Sequence, residues 1–297
     1  MSIERADILV SYNCNNNCVF CVINKSERNY KKRTLKQIKK EILYCKKKYN
    51  CNSITFTGGD PCINKDIFEI VKYAKKLRYE TIQIQTNGRM LAYEDFARKL
   101  VEAGVNSFTI SLHAHNSKLG NMLSKTKKSF EQTVLGIKNI KKFNVNLITN
   151  TVVCKQNYRD LEKIVKLAIK VGANQIQIVF IRSVGEAHRS YDSVVPKISE
   201  VMPYIKKSIE LCRKKNVRCL VEGVPYCLMK GYGKNIAERY MQNSVVKAGK
   251  LGLYKSKTKE RKIKFLSCDK CKKFEDCTGI WINYGKKEGE KEFKPIL

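Results

Sequence analysis

Apolar residues along the first two thirds of the chain fall into two alternating periods. Short runs rich in β-branched and aromatic residues occupy 8–11, 53–57, 81–85, 107–112, 145–153 and 175–181. Between them, apolar side chains recur at helical spacing: Leu35, Ile38 and Ile42, then Ile67, Ile70, Val71 and Ala74, and later Leu161, Ile164, Val165 and Ala168. A strand followed by an amphipathic helix, repeated, is the pattern of βα units around a parallel sheet. Gly104 and Gly172 each stand just before a strand, where a helix terminator with positive φ is useful. Six units predict an open barrel, because a closed eight-stranded barrel takes roughly 250 residues of regular repeats and the pattern here stops near Ile181.

The expected fold class is therefore α/β, a partial (β/α)6 barrel of the TIM type. Residues 195–215 read as the sixth helix, beginning near Pro196. Residues 216–297 show little periodicity, several glycines, the Lys-rich run KSKTKERKIK and a second group of cysteines. The expected organisation is a core barrel over 1–215 and a small, ligand-stapled, cysteine-rich extension over 216–297.

Composition narrows the class. No apolar run in the 297 residues approaches the roughly 20 needed to span a bilayer. MSIERADILV carries charges where a signal peptide needs its apolar segment, so a cytoplasmic protein with no membrane partner is expected. Thirteen unevenly spaced cysteines in a reducing compartment favour metal or cluster ligation over a disulfide framework. The net charge of +32 arises from 46 Lys and 13 Arg against 27 acids. Such a balance favours an anionic partner such as RNA, but the Lys are scattered along the whole chain, as solvated helix faces also would be.

The chemistry-bearing stretch is CNNNCVFC, which puts Cys14, Cys18 and Cys21 on the loop after the first strand. That is the C-terminal mouth of a barrel, where functional loops gather. Structural zinc takes a fourth protein ligand. Three thiolates on a [4Fe–4S] cluster instead leave one iron open. CNNNCVFC resembles the signature of the radical S-adenosylmethionine (radical SAM) enzymes. Further marks agree in order: GGDP at 58–61, similar to the family's GGEP, ends the second strand, and TNG at 86–88 ends the third. The resemblance covers roughly 5–182. It implies that S-adenosylmethionine chelates the open iron and is reductively cleaved to a 5′-deoxyadenosyl radical, with a one-electron donor such as ferredoxin or flavodoxin as partner.

The same resemblance makes Gly58, Gly59 and Asp60 candidates for the methionyl amino group, with glycines allowing close backbone approach. Asn87 and Ser111 are candidates for the carboxylate or ribose, Arg182 for the carboxylate, and Asn150 is a weaker one. His113 and His115, in SLHAH, follow the fourth strand; His113 is the candidate for contact with S-adenosylmethionine or substrate.

CDKCKKFEDC gives Cys268, Cys271 and Cys277 the spacing Cx2Cx5C, similar to the SPASM or twitch extensions of radical SAM enzymes, though short of the seven cysteines of a full SPASM domain. This implies one auxiliary [4Fe–4S] cluster, with zinc as the alternative. By analogy Cys227 is the fourth ligand, with Cys219 and Cys212 as alternatives. Trp281 and Tyr284 are expected to pack over that metal site. The function implied is hydrogen abstraction from a peptide or protein. Modification of an RNA base, or of a small metabolite, are the alternatives, and an iron–sulfur electron carrier is the non-enzymatic one.

Overall fold

The computed structural model describes residues 3–23, 33–247, 253–256 and 261–297. The middle of the Lys-rich run, 257–260, lies outside them. The six expected strands form: β1 (Arg5–Ser11), β2 (Ser53–Gly58), β3 (Thr81–Thr86), β4 (Ser107–Ser111), β5 (Asn146–Val153) and β6 (Gln175–Phe180). The helices between them are α1 (Leu35–Tyr49), α2 (Ile67–Lys76), α3 (Glu94–Ala103), α4 (Ser117–Ser124), α5 (Ser129–Lys141) and α6 (Leu161–Lys170). Gly104 and Gly172 hold φ of +123° and +85° at the ends of α3 and α6, as expected of helix terminators.

Each strand splits its residues between two environments, as period-2 geometry requires. Ile8, Val10, Ile54, Phe56, Ile82, Ile84, Phe108 and Ile110 are fully buried in one core with the apolar faces of the helices. In β2 to β4 the alternate residues are hydroxyls and amides bonded to one another across strands. Gln83 Nε2 donates to Ser107 Oγ (3.1 Å) and Thr109 Oγ1 (3.0 Å), and Thr55 Oγ1 donates to Gln83 Oε1 at 3.2 Å. The barrel interior is thus polar and uncharged along this wall.

The sheet does not stop at the sixth strand. Two short helices, α7 (Glu186–Arg189) and α8 (Tyr191–Val194), lead to α9 (Ile198–Lys214) and then to β7 (Arg218–Glu222), which pairs parallel to β6. A further strand, β8 (Ser244–Lys247), pairs parallel to β1 on its other side and carries the antiparallel β9 (Leu253–Ser256). The order is β7-β6-β5-β4-β3-β2-β1-β8-β9, a mostly parallel sheet curved into a partial barrel whose outer strands β7 and β9 do not pair. Two segments expected in the extension are therefore strands of the main sheet. Both are short, and Arg218, Glu222 and Lys247 break their apolar runs.

The tail ends in the pair β10 (Lys262–Ile263) and β11 (Ile280–Trp281), followed by α10 (Ile282–Glu288). Trp281 Nε1 donates to the carbonyl of Phe180 at 2.9 Å, and the hydroxyl of fully buried Tyr284 accepts from the Ile198 N–H at 2.8 Å. These two aromatics fasten the tail to the barrel; neither lines the cysteine pocket expected beneath them. Among the described residues, no helix is long and apolar enough to cross a membrane.

Candidate metal and cofactor centre

The loop after β1 is held from four sides. At its start the N–H of Gly59 donates to the Ser11 carbonyl (2.6 Å) and that of Asp60 to the Asn13 carbonyl (2.9 Å). The glycines of GGDP are required here by the chain itself. A Cβ on Gly58 would stand 2.2 Å from Ser11 O, and one on Gly59 2.1 Å from Asn13 O. Farther along, the N–H groups of Asn17 and Val19 donate to the carbonyls of Ser124 (2.9 Å) and Leu123 (3.0 Å), at the end of α4. The Cys21 carbonyl accepts from the Glu186 N–H at 2.8 Å. Arg89, immediately after TNG, bonds Asn15 O and Asn16 Oδ1 while its Nε donates to Gln132.

So held, Cys14, Cys18 and Cys21 face one cavity of about 330 Å³ at the C-terminal mouth. Gly58, Gly59, Asn87, Ser111, His113 and Asn150 share its wall, so six of the positions expected near a cosubstrate are brought together with the cysteines. Thr57 and Gln85 form part of its floor. The motif reading missed these two; the alternation along β2 and β3 points them inward. No Lys, Arg, Asp or Glu stands among the lining residues described, in a chain of net charge +32.

The wall has open hydrogen-bonding capacity. Asn150 Oδ1 is buried without a partner, a costly state for an amide oxygen unless a ligand supplies a donor. His113 Nδ1 accepts from the Val152 N–H at 3.1 Å, which places the ring proton on Nε2. Burial lowers the pKa of His113 to about 4, so the ring is neutral near pH 7. Phe20 packs edge-on against it at 4.7 Å.

Asp60 and Arg182 are placed elsewhere. The Asp60 carboxylate is fully buried and accepts from Thr86 Oγ1 (2.8 and 3.0 Å), the Asn87 N–H (2.8 Å) and the Cys62 N–H (2.9 Å). It stands behind the cavity wall and positions Asn87. Burial pushes its carboxyl upward, opposed by those hydrogen bonds. Arg182 lies against the Trp281 ring, 5.9 Å from its centre, in the field of Glu222. His115 Nε2 contacts Asn116 and does not line the cavity.

Donors converge on the thiols. Cys14 Sγ accepts from the Asn16 N–H at 3.4 Å and from Asn87 Nδ2 at 3.6 Å. Burial, then the Asp60 charge, raise the Cys14 pKa, so its thiolate needs a cationic partner. An iron–sulfur cluster meets that requirement.

The second cysteine group also assembles. Cys227, Cys268, Cys271 and Cys277 line one small pocket of about 30 Å³ walled by Tyr226, Ile263, Phe265, Phe274 and Phe293. Burial, then the neighbouring Cys277, Cys268 and Cys271, push the Cys227 thiol up to about 11. Cys271 Sγ accepts from the Ile296 N–H (3.3 Å) and Cys277 Sγ from the Gly279 N–H (3.4 Å). Cys212 and Cys219 instead contact each other across α9 and β7, and neither reaches the pocket. Among the described residues, no three His, Cys, Asp or Glu side chains converge to hold a single ion. Four thiols in one pocket are a donor set that suits either a four-iron cluster or a tetrahedral zinc ion.

The pattern of the radical SAM superfamily matches residues 8–168, which span the three-cysteine loop, GGDP, TNG and the lining strands β1 to β5. The chain belongs to the radical SAM superfamily. Membership implies an enzyme that uses a [4Fe–4S] cluster and S-adenosylmethionine. The chain is similar to a probable GTP 3′,8-cyclase of Saccharolobus solfataricus, 32% identical over 228 residues, covering 73% of this chain and 70% of the relative. A probable GTP 3′,8-cyclase of Sulfurisphaera tokodaii is 24% identical over 220 residues, covering 73% and 69%. Among solved structures, Streptococcus suis SuiB bound to S-adenosylmethionine superposes with a TM-score of 0.64 at 18% identity, over 82% of this chain and 58% of SuiB. The anSMEcpe enzyme with bound AdoMet and a Cp18Cys peptide gives 0.59 at 19% identity, over 74% and 63%. This radical SAM protein thus spans less than two thirds of those solved chains, and at such identity the likeness is one of fold.

Proposed function

We propose that Cys14, Cys18 and Cys21 hold the [4Fe–4S] cluster with its open iron, and that the substrate is a peptide or protein segment. A cluster held there would supply the electron for reductive cleavage of S-adenosylmethionine, the chemistry that generates a hydrogen-abstracting 5′-deoxyadenosyl radical. The protein's own part is positional. Asn87 orients its amide on Cys14, with Asp60 fixing Asn87 from behind; Asn150 Oδ1 accepts from the cosubstrate; the neutral His113 offers Nε2–H; and Phe20, Leu112 and Leu123 keep water from the cavity. Cys227, Cys268, Cys271 and Cys277 hold an auxiliary [4Fe–4S] cluster that staples the tail over 262–297.

The observation that carries the substrate reading is the lack of charged side chains among the described residues that line the cavity. Besides the groups assigned to the cosubstrate, its floor offers Thr57 and Gln85, a hydroxyl and an amide that pair with peptide groups. A nucleoside triphosphate brings about four negative charges, and the described lining provides none of the cations that would offset their desolvation. A second reading, a purine nucleotide as substrate, is favoured by the relatives' similarity over 73% of the chain.

The test is anaerobic reconstitution, then 5′-deoxyadenosine formation under dithionite with GTP or with peptides as the added substrate. The peptide reading expects peptide-dependent turnover and no consumption of GTP. GTP consumed in step with 5′-deoxyadenosine would replace it with the nucleotide reading. A Cys14/Cys18/Cys21→Ala triple variant that still forms 5′-deoxyadenosine would remove the cluster assignment.

A further inference from the structure

Several basic residues gather at a second place on the surface. A groove of about 1140 Å³ runs between the end of α9, the start of β7, the 229–235 loop and the cysteine-rich tail. Arg218, Lys230, Lys234, Arg239 and Lys272 line it, and none of them forms an ion pair with an acid among the described residues. Arg218 rests on the Tyr240 ring at 4.9 Å and Arg239 bonds the Tyr226 hydroxyl at 2.9 Å; both partners are neutral. Arg213 and Lys273 also line it and are paired, with Glu210 (3.8 Å) and Asp276 (3.1 Å); Glu210 is the groove's one acid. Seven cations against one acid in one concavity make a strongly positive field.

The groove backs onto the second cysteine pocket. Tyr226 lines both. Lys272 follows Cys271 directly and donates its N–H to the Ile296 carbonyl at 2.8 Å, while the Ile296 N–H donates to Cys271 Sγ. One residue's backbone therefore separates the basic wall from a thiol of the pocket.

We propose that this groove docks an acidic one-electron carrier protein and delivers its electron at the Cys227/Cys268/Cys271/Cys277 site. The inference rests on the reading of that site as an auxiliary cluster. The reduced carrier loses one electron and the irons of the site gain it; no bond is made and no proton is required. Cations without internal partners are suited to steering an acidic partner, since its carboxylates displace water and not competing ion pairs. The contact with a cysteine pocket favours a redox protein over a nucleic acid, which would gain nothing from that proximity.

The test compares the reconstituted protein with its Lys230→Glu/Lys234→Glu/Lys272→Glu variant, using reduced flavodoxin or dithionite as electron source. Both are made in a Cys14/Cys18/Cys21→Ala background, which keeps only the second cluster, and reduction of that cluster is followed by its visible absorbance; dithionite, which needs no docking surface, should reduce both equally. With flavodoxin the Lys→Glu protein should be reduced more slowly by about ten-fold or more, and its parent should slow steeply as salt is raised. Equal flavodoxin-driven rates in the two proteins would overturn the proposal. So would loss of RNA binding in the variant with flavodoxin-driven reduction intact, which would make the groove a nucleic-acid surface. If the Glu variant loads less iron, the Lys→Gln triple variant takes its place, with the same outcomes at a smaller fold-change. Failure of dithionite to give 5′-deoxyadenosine in wild type would count against the enzymatic reading, and fewer than about eight irons per chain against the auxiliary cluster, separately from the groove.

Discussion

The carboxylate of Asp60 accepts the backbone N–H of Asn87 at 2.8 Å, across 27 residues of sequence. GGDP and TNG are thereby one unit: the turn after β2 carries the acceptor that fixes the turn after β3, and Asn87 in turn reaches Cys14 Sγ. Asp60→Asn replaces one acceptor oxygen with an amide that faces donors. A cost of about 2 to 3 kcal/mol is expected, seen as a lower urea midpoint with an unchanged slope. An unaltered midpoint would mean the clamp contributes nothing.

Gly59→Ala sets a methyl group against the backbone carbonyls of Asn13 (2.1 Å) and Tyr12 (2.5 Å), neither of which can move without displacing the cysteine loop. Destabilisation of about 3 kcal/mol is expected, together with loss of iron at the first site. An iron content equal to wild type would show that the loop tolerates the shift.

Cys227→Ala should lower the iron content by about four per chain and loosen the tail, detected as faster proteolysis after residue 222. Cys212→Ala and Cys219→Ala should leave iron unchanged, because those thiols face each other. If Cys219→Ala loses iron and Cys227→Ala does not, the ligand assignment is reversed.

His113 predicts an acid-side loss of stability. Its pKa falls from 6.5 to about 4 on folding because the ring is buried. Between those values the unfolded chain binds the extra proton and the folded chain does not. Stability is therefore full above about 6.5 and declines as pH falls toward about 4, by up to about 3 kcal/mol. His113→Asn, which keeps an acceptor for the Val152 N–H, removes the titration. Unfolding curves from pH 7.5 to 5 should show wild type declining relative to the variant; parallel profiles would refute the assignment.

Much of the barrel was legible from the chain. Six strands and the glycine stops after α3 and α6 follow from period and from φ, both local properties. The strands β7 and β8 were hidden because RCLVE and SVVK are too short and too charged to show alternation, and gain their stability from pairing with β6 and β1. Proximity to Cys277 suggests that Trp281 and Tyr284 cover the cysteine pocket, yet their polar atoms bond Phe180 and Ile198.

The sequence by itself determined the class of chemistry: three cysteines at fixed spacing, a GGDP turn and a TNG turn identify the superfamily and the candidate ligands, because ligand number and softness are properties of residue type. Tertiary structure decided direction. Asp60 and Arg182 looked like cosubstrate contacts by position, but one is spent on Thr86, Asn87 and Cys62 and the other lies on Trp281. Which of Cys212, Cys219 and Cys227 joins the second pocket, and which basic residues gather around one groove while the described cavity lining has none, depend on distances between segments far apart in the chain. No local pattern encodes those distances, since packing sets them only after the strands have paired.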